Sequence, residues 1–233
     1  MSTPRIYVDD AVTDEQSELW FAEPSGFIPL PLTSLLAKPG SPEAEAMCGA
    51  VAPLLEAAPS AWVRQQFVAQ LALGQQMLGA LCGFGTVHCS LGLHRDDVGG
   101  GGQPLLSLFT ITWQDTPAAP RAATAARAVT APDGHRRVAY LELPCGPATV
   151  SETLRPPVTG SPLPRLPLLQ VHAHLPHPDC KRLAVLTVSS TAAARRAEYR
   201  AVLEGIADTV RFTDPLGRCP NALMVLSGER GRR

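Results

Sequence analysis

The alternation of apolar and polar positions is clearest in the C-terminal third of the chain. Residues 166–175, LPLLQVHAHL, and residues 182–190, RLAVLTVSS, each have the length and pattern of a strand. The PHPDCK stretch between them has the Pro and Asp content of a turn, so the two segments are predicted to form a hairpin. Both faces of the second strand are nearly apolar, which indicates a central strand covered on both sides.

The segment after this hairpin predicts an amphipathic helix over residues 192–210. Tyr199, Leu203, Ile206 and Val210 recur at spacings of four, three and four residues. Such spacings place the four side chains on one stripe of a helix. The stripe is therefore expected to pack against the sheet that contains the hairpin.

The same kind of alternation predicts four further strands upstream. They are residues 85–95, 104–113, 137–143 and 147–155. Residues 20–32 are rich in proline and suit an edge strand or a hairpin. The alanine-rich residues 118–130 suit either a short helix or a flexible arm, because they favour helix but carry few large apolar side chains.

Two helices are predicted in the first half of the chain. One begins after Ser41, with Pro42 in its first turn, and Pro53 kinks or ends it. The other spans residues 60–81, and its polar face is built from glutamines with Arg64 as the only charged side chain. This second helix has two interpretations: it packs on the sheet, or part of it contacts a partner protein.

Together these segments predict an α+β fold. A mostly antiparallel sheet of five to seven strands is expected to pack against amphipathic helices at residues 60–81 and 192–210. The predicted organisation is a loosely ordered N-terminus and a single domain with a helical insertion, followed by a flexible tail. Their predicted bounds are 1–19 for the N-terminus, 20–213 for the domain, 41–82 for the insertion and 214–233 for the tail.

Composition excludes some classes of protein. The chain has 233 residues, 45% of them hydrophobic, and a net charge of −1, so it can form a core but has no global attraction to nucleic acid or anionic membranes. Its six cysteines contain no CxxC pair, which predicts reduced thiols. The sequence shows no signal peptide and no apolar run long enough to span a bilayer. We therefore expect a cytoplasmic protein that neither binds nucleic acid nor inserts into a membrane.

The densest group of potential metal ligands lies in the C-terminal hairpin. His172 and His174 alternate along the first strand and so share one of its faces. Asp179 and Cys180 follow in the turn. Two histidines with a nearby carboxylate or thiol can bind zinc or a similar metal. The same residues also suit a hairpin with a polar face and no metal, and no cofactor is predicted.

Other chemical motifs have less support. The four glycines at 99–102 precede a predicted strand, so they suit a hairpin loop better than a phosphate-binding loop, which a helix would follow. Cys89 and Cys145 are interpreted as buried, inert thiols rather than nucleophiles. His88 and His94 lie on another strand and would join the metal ligands only if folding brought them near.

Two segments resemble the Mog1/PsbP-like fold family, including the LpqN-type proteins of actinobacteria. The C-terminal segment is RLAVLTVSS followed by AEYRAVLEGIADTVRF, which is an apolar strand, a Ser- and Thr-rich link and a helix that ends on a Phe. The N-terminal segment is FAEPSGFIPLPL, similar to the family's early aromatic, acidic, Gly-Phe and Pro pattern. The pair of strands around LELPCGPATVSETL also suits this family.

The resemblance implies an antiparallel sheet packed between helices, and a role in binding or assembly without catalytic residues. We therefore expect a non-enzymatic accessory module with a protein partner, linked by analogy to a bacterial secretion system. The alternative is a metal-binding protein or a metal-dependent enzyme that uses His172 and His174. The sequence specifies neither the identity of the partner nor the oligomeric state.

Overall fold

The computed structural model describes most of the chain between residues 19 and 213. The described residues are 5–8, 19–56, 60–62, 64–65, 68, 72, 75, 79, 81–95, 104–130, 134–156 and 167–213. The glycine loop at 99–102 and the tail expected over 214–233 lie outside them, as does the N-terminus apart from residues 5–8 and 19.

The described residues form nine strands and four bounded helices. The strands are β1 (Arg5–Val8), β2 (Trp20–Glu23), β3 (Phe27–Pro29), β4 (Thr86–Arg95), β5 (Pro104–Asp115), β6 (Arg136–Leu143), β7 (Gly146–Arg155), β8 (Leu168–Pro176) and β9 (Arg182–Ser190). The helices are α1 (Leu32–Leu35), α2 (Pro42–Glu56), α3 (Arg121–Thr130) and α4 (Arg196–Thr209), and a 3-10 turn at Ala193–Arg195 precedes α4.

Seven of the strands form one antiparallel sheet. Its strand order is β3-β4-β5-β9-β8-β7-β6, and every neighbouring pair runs antiparallel. The predicted hairpin is the β8–β9 pair near the middle of this sheet, with Ala173 opposite Leu186. Strands β1 and β2 form a separate two-stranded sheet. The predicted α+β class with a mostly antiparallel sheet is therefore confirmed.

One face of the large sheet, the core face, carries the apolar positions of its central strands and packs against α4. Phe109, Ile111, Val171, Ala173, Leu186 and Val188 are buried on this face. The stripe predicted on the helix joins them, because Tyr199, Leu203, Ile206 and Val210 belong to the same buried cluster. Phe21 of β2 completes the cluster. Alternation in the strands and helical spacing in α4 thus lead to one shared core.

Helix α3 covers part of the opposite face, called here the second face, by packing on β7 and β8. The segment left open as a helix or an arm is therefore a helix, with Thr124, Ala125 and Val129 buried. Arg121 anchors its first turn, because its guanidinium donates hydrogen bonds to the carbonyls of Cys145 and Pro176.

The close approach of Arg121 requires a glycine at position 146. Gly146 has a φ of +115°, a conformation that side chains disfavour. A Cβ at this position would also collide with the Arg121 guanidinium. The two-residue turn between β6 and β7 therefore leaves room for the arginine that holds α3 on the sheet.

The predicted helical insertion is seen in part. The Ser41 hydroxyl accepts a hydrogen bond of 3.2 Å from the backbone N–H of Ala44, as expected of a helix cap. Helix α2 continues past Pro53 to Glu56. The described residues from 61 to 83 are helical, although most of the apolar stripe predicted for this segment falls outside the described part.

Within the described part of the chain, no helix combines the length and the apolar character needed to cross a membrane. The five cysteines of this part, at positions 48, 82, 89, 145 and 180, are free.

Candidate functional site

A cavity of about 620 Å³ opens on the second face of the sheet, beside α3. Its described lining consists of Leu81, Phe84, Thr86, Thr112, Gln114, Thr116, Pro117, Thr124, Arg127, Ala128, His135, Thr153, Arg155, His172, His174, Leu183, Val185 and Thr187. This volume lies in the range of about 300–1,000 Å³ that is usual for small-molecule sites.

The floor of the cavity follows from the alternation of the strands. Because successive side chains of a strand point to opposite faces, the residues between the core positions lie on the second face, and some of them line the cavity. His172 pairs with Thr187 and His174 with Val185 across β8 and β9, and Thr153 extends the row onto β7. The floor is therefore a mixture of imidazole, hydroxyl and aliphatic groups.

Three histidines lie together in this cavity. The ring centroid of His135 is 5.5 Å from that of His172 and 5.6 Å from that of His174, and the last two centroids are 5.9 Å apart. His172 is held by hydroxyls on both sides, with Nδ1 3.0 Å from Thr187 Oγ1 and Nε2 3.2 Å from Thr153 Oγ1. The Nδ1 atom of His135 lies 2.8 Å from the hydroxyl of Ser151.

All three imidazoles are uncharged at neutral pH. Burial, with smaller contributions from His174, His135 and Arg155, lowers the pKa of His172 to about 3. Burial also lowers the pKa of His174 to about 4, helped by His135. The pKa of His135 falls below its usual value because of burial and the charge of Arg155. The cluster therefore presents neutral hydrogen-bonding groups.

Two buried polar atoms of the cavity lining have no hydrogen-bond partner among the described residues. They are Nδ1 of His174, a residue only 6% exposed, and the hydroxyl oxygen of Thr116. A buried polar atom left without a partner costs about 1–3 kcal/mol. Such atoms mark positions where a bound molecule gains hydrogen bonds.

The charge of the cavity is positive. Arg127 on α3 and Arg155 at the end of β7 line it, whereas its described lining contains no Asp or Glu. Within the described residues, no carboxylate lies within ion-pairing distance of either guanidinium. Arg137, Arg182 and Arg200, by contrast, all have carboxylate partners.

The four predicted metal ligands occupy two different places. His172 and His174 line the cavity, but Asp179 and Cys180 lie in the β8–β9 turn and are not part of the lining. Asp179 accepts hydrogen bonds from the backbone of Lys181 and from both the backbone and side chain of Arg182. In the described part of the chain, no group of three or more His, Cys, Asp or Glu side chains is arranged to hold a metal ion.

His88 and His94 point to the core face and do not join the cavity histidines. His88 Nε2 lies 2.6 Å from the hydroxyl of Ser90, which donates a short hydrogen bond to the buried carboxylate of Glu23. The carboxylate contacts the same ring nitrogen as the serine, at 3.4 Å, whereas a catalytic triad places it on the other nitrogen. Because Ser90 is fully buried, this group is a polar network within the core.

The cysteines considered as nucleophiles are also buried. Burial, with smaller contributions from Cys82 and Glu23, raises the pKa of Cys89 to about 12. Burial also raises the pKa of Cys145. Because the thiolate is the reactive form, burial disfavours a nucleophilic role for both thiols.

The sequence pattern did not indicate His135 as a member of the cluster. This residue lies just before β6, far in sequence from His172 and His174. The row of hydroxyls on the second face did leave a signal, because Thr112 and Thr187 adjoin buried core positions in the alternating pattern of their strands. A comparison of the polar positions of all strands could have indicated the polar face, but not the position of His135.

Comparison with known proteins does not assign this chain to a family. No protein-family model, no curated protein and no solved structure matches the chain. The resemblance to the Mog1/PsbP-like fold family therefore stays a prediction.

Proposed function

We propose that this chain is a non-enzymatic binding module of the cytoplasm, and that the cavity on the second face holds a small-molecule ligand. One observation carries the proposal: a cavity of about 620 Å³ is lined by two buried polar atoms that lack partners among the described residues. A ligand that hydrogen-bonds to His174 and Thr116 would recover the free energy lost by leaving them unsatisfied.

The lining also indicates the general shape of the ligand. Leu81, Phe84, Leu183 and Val185 provide apolar contacts, whereas the threonines and histidines provide hydrogen bonds. Sites of this mixed kind use apolar walls for affinity and a few polar groups for orientation. The ligand of this proposal therefore has an apolar body with polar substituents.

Binding is favoured over catalysis because of the state of the histidines. A general acid or base is most effective when its pKa lies near the working pH. The pKa values of His172 and His174, about 3 and about 4, are far below neutrality. Both ring nitrogens of His172 also contact threonine hydroxyls. These contacts suit a positioning role for the ring.

A protein partner remains part of this proposal, as expected from the sequence for an accessory module. A protein partner is supported by large apolar side chains that are exposed on the helical segment before β4 and just after the end of that segment. Trp62 is 68% exposed and Phe84 is 77% exposed. Phe84 also lines the cavity, so a protein that covers it would contact the mouth of the ligand site.

Filling the cavity is expected to weaken ligand binding strongly. Val185→Trp places a large side chain on the cavity floor, so we expect the affinity for the neutral fluorescent probe phenylnaphthylamine to fall by about tenfold or more. Fluorescence titration measures this affinity. Thr112→Met is a milder second variant at the cavity wall, in case the tryptophan prevents folding.

The matched control is Val138→Trp, at an exposed position of β6 that does not line the cavity. It should leave the affinity unchanged. The proposal is wrong if the wild-type protein binds neither this neutral probe nor its anionic counterpart, anilinonaphthalene sulfonate. It is also wrong if the cavity variants and the control behave alike.

Metal binding is a second candidate, because the three histidines lie close together, although among the described residues their side chains are not arranged to hold a metal ion as they stand. Imidazoles that share one zinc ion have ring centroids about 5 Å apart, given Zn–N bonds of about 2 Å. The centroids of His135, His172 and His174 are 5.5–5.9 Å apart. Neutral imidazole is also the form that binds metal. The rings would have to turn, and His172 would lose its contact with Thr153.

Elemental analysis after zinc loading and dialysis tests this candidate. It predicts about one zinc per chain in the wild type and in Asp179→Asn, because Asp179 lies outside the cavity. The double variant His172→Ala with His174→Ala should retain none. Substoichiometric zinc in the wild type, or equal zinc in the wild type and the double variant, removes the candidate.

A further inference from the structure

We propose that the ligand of the cavity is an organic anion, whose acidic group is held by Arg127 and Arg155. This inference rests on the proposed function and specifies the chemical class that the site accepts. The class comprises molecules with an apolar body and one carboxylate, phosphate or sulfonate group. The described lining supplies no counter-ion to either arginine, and a cationic or uncharged ligand would supply none.

The charge at the cavity is positive. Arg127 and Arg155 are exposed residues at the cavity, one on a helix and one on a strand, and its described lining contains no carboxylate to neutralise them. Guanidinium groups are planar and bind carboxylate and phosphate groups through two parallel hydrogen bonds. Two unneutralised guanidiniums therefore favour an anion at this mouth.

The positive field of Arg155 extends into the cavity. The charge of Arg155 contributes to the lowered pKa of both His135 and His172, so it acts on groups at the cavity floor. Since these imidazoles are uncharged at neutral pH, they add hydrogen bonds without adding charge. An anion in this cavity would meet the arginine charge together with neutral N–H and O–H donors.

The cavity also offers contacts for the part of the ligand that is not charged. The hydroxyl of Thr116 has no partner among the described residues and can donate to an anionic oxygen. Leu81, Phe84 and Val185 form the apolar part of the lining. An inorganic anion would leave these apolar walls unused. The combination therefore fits an anionic group attached to an apolar body.

Two fluorescent probes with one aromatic framework separate charge from shape. Anilinonaphthalene sulfonate carries an anionic group, and phenylnaphthylamine is the same framework without it. We expect the wild-type protein to bind the sulfonate about tenfold more tightly at low ionic strength, and to lose most of this preference at high ionic strength. Fluorescence titration of both probes gives the ratio of affinities.

The deciding variant is Arg127→Gln with Arg155→Gln, which should bring the ratio of affinities close to one while the neutral probe binds as before. Its control is Arg136→Gln with Arg195→Gln, which changes the net charge equally at residues outside the cavity. The control should retain the wild-type ratio.

The outcomes separate this inference from the proposed function. Equal binding of both probes, with both affinities sensitive to Val185→Trp, overturns the preference for anions and leaves a ligand cavity. A preference for the sulfonate that survives the cavity arginine variant also overturns it. If neither probe responds to Val185→Trp, the cavity is not a ligand site and the proposed function fails as well.

Discussion

Lowering the pH from about 7 to about 4.5 is expected to reduce the free energy of unfolding by several kcal/mol, through His172 and His174. Burial lowers the pKa of these residues from 6.5 to about 3 and about 4 in the folded protein. The unfolded chain takes up protons as the pH falls through 6.5, whereas the folded protein does so only at lower pH. The stability contribution is therefore complete above pH 6.5 and declines towards pH 4, by on the order of 1 kcal/mol per pH unit for each histidine.

Urea denaturation of the wild type and of His172→Gln with His174→Gln measures this effect. Carboxylates titrate in both proteins, so the difference between the two pH profiles isolates the histidines. The double variant should show a smaller loss of stability between neutral and acidic pH. Profiles of equal steepness would mean that these rings are not buried in the uncharged form.

Truncation of Leu203 to alanine is expected to lower the free energy of unfolding by about 2–5 kcal/mol. Leu203 is fully buried between α4 and the sheet, and Ile206 is only 2% exposed. The cost combines lost apolar burial with the cavity that truncation leaves. It is a large share of the roughly 5–15 kcal/mol that stabilises a typical domain. Ile206→Ala should fall in the same range, as measured by denaturant melts.

The matched controls lie on the outer side of the same helix region. Arg195 forms an ion pair with Glu198 at 3.5 Å, and Arg196 lies one residue further along. Because a long, partly exposed ion pair of this kind contributes little, Arg195→Ala and Arg196→Ala should each change stability by about 0.5 kcal/mol or less. A larger loss from the arginine variants than from Leu203→Ala would contradict the packing of α4 on the core face.

These two predictions concern opposite faces of one sheet. The core face contributes stability chiefly through apolar contact with α4, although it also carries His94, whose pKa is lowered by burial. The second face carries imidazoles and hydroxyls whose burial makes stability depend on pH. A protein with this division is expected to keep its hydrophobic core when the cavity is altered, so cavity variants can test binding without unfolding the chain.

Local pattern was sufficient to locate most strands. The second strand of the C-terminal hairpin is predicted at 182–190 and observed at Arg182–Ser190. The first is predicted at 166–175 and observed at Leu168–Pro176. Alternation of side chains is a property of the strand itself, so it can be recognised without knowledge of the neighbours. The stripe on α4 was recognisable for the same reason.

Helix α3 is a case in which local pattern was ambiguous. Its alanines favour a helix, but its apolar surface is small, and both a helix and an arm remained open. The structure forms the helix because Arg121 binds the carbonyls of Cys145 and Pro176, and because Thr149 donates a hydrogen bond of 3.0 Å to the carbonyl of Ala125. These partners are distant in sequence, and no local signal identifies them.

Some features of the candidate site could likewise be predicted from the sequence, and others could not. The alternation of His172 and His174 was enough to place them on one face of a strand, and their type was enough to suggest a polar site. Asp179 is so near these histidines in sequence that it was grouped with them as a possible ligand. In the structure, its carboxylate accepts hydrogen bonds from Lys181 and Arg182 of its own turn. Short side chains in tight turns commonly bond to nearby backbone. Such a residue is then less available to a site on the adjoining strand.

The sequence alone therefore determines the elements of this protein and the faces on which their side chains lie, because periodicity is local. It does not determine which polar faces meet. Only the tertiary structure brings His135 into contact with the β8 histidines and places Arg127 and Arg155 at one cavity. It also buries the imidazoles and thereby removes their charge. Burial and long-range contact depend on the packing of all layers at once, and these decide the chemistry of the cavity.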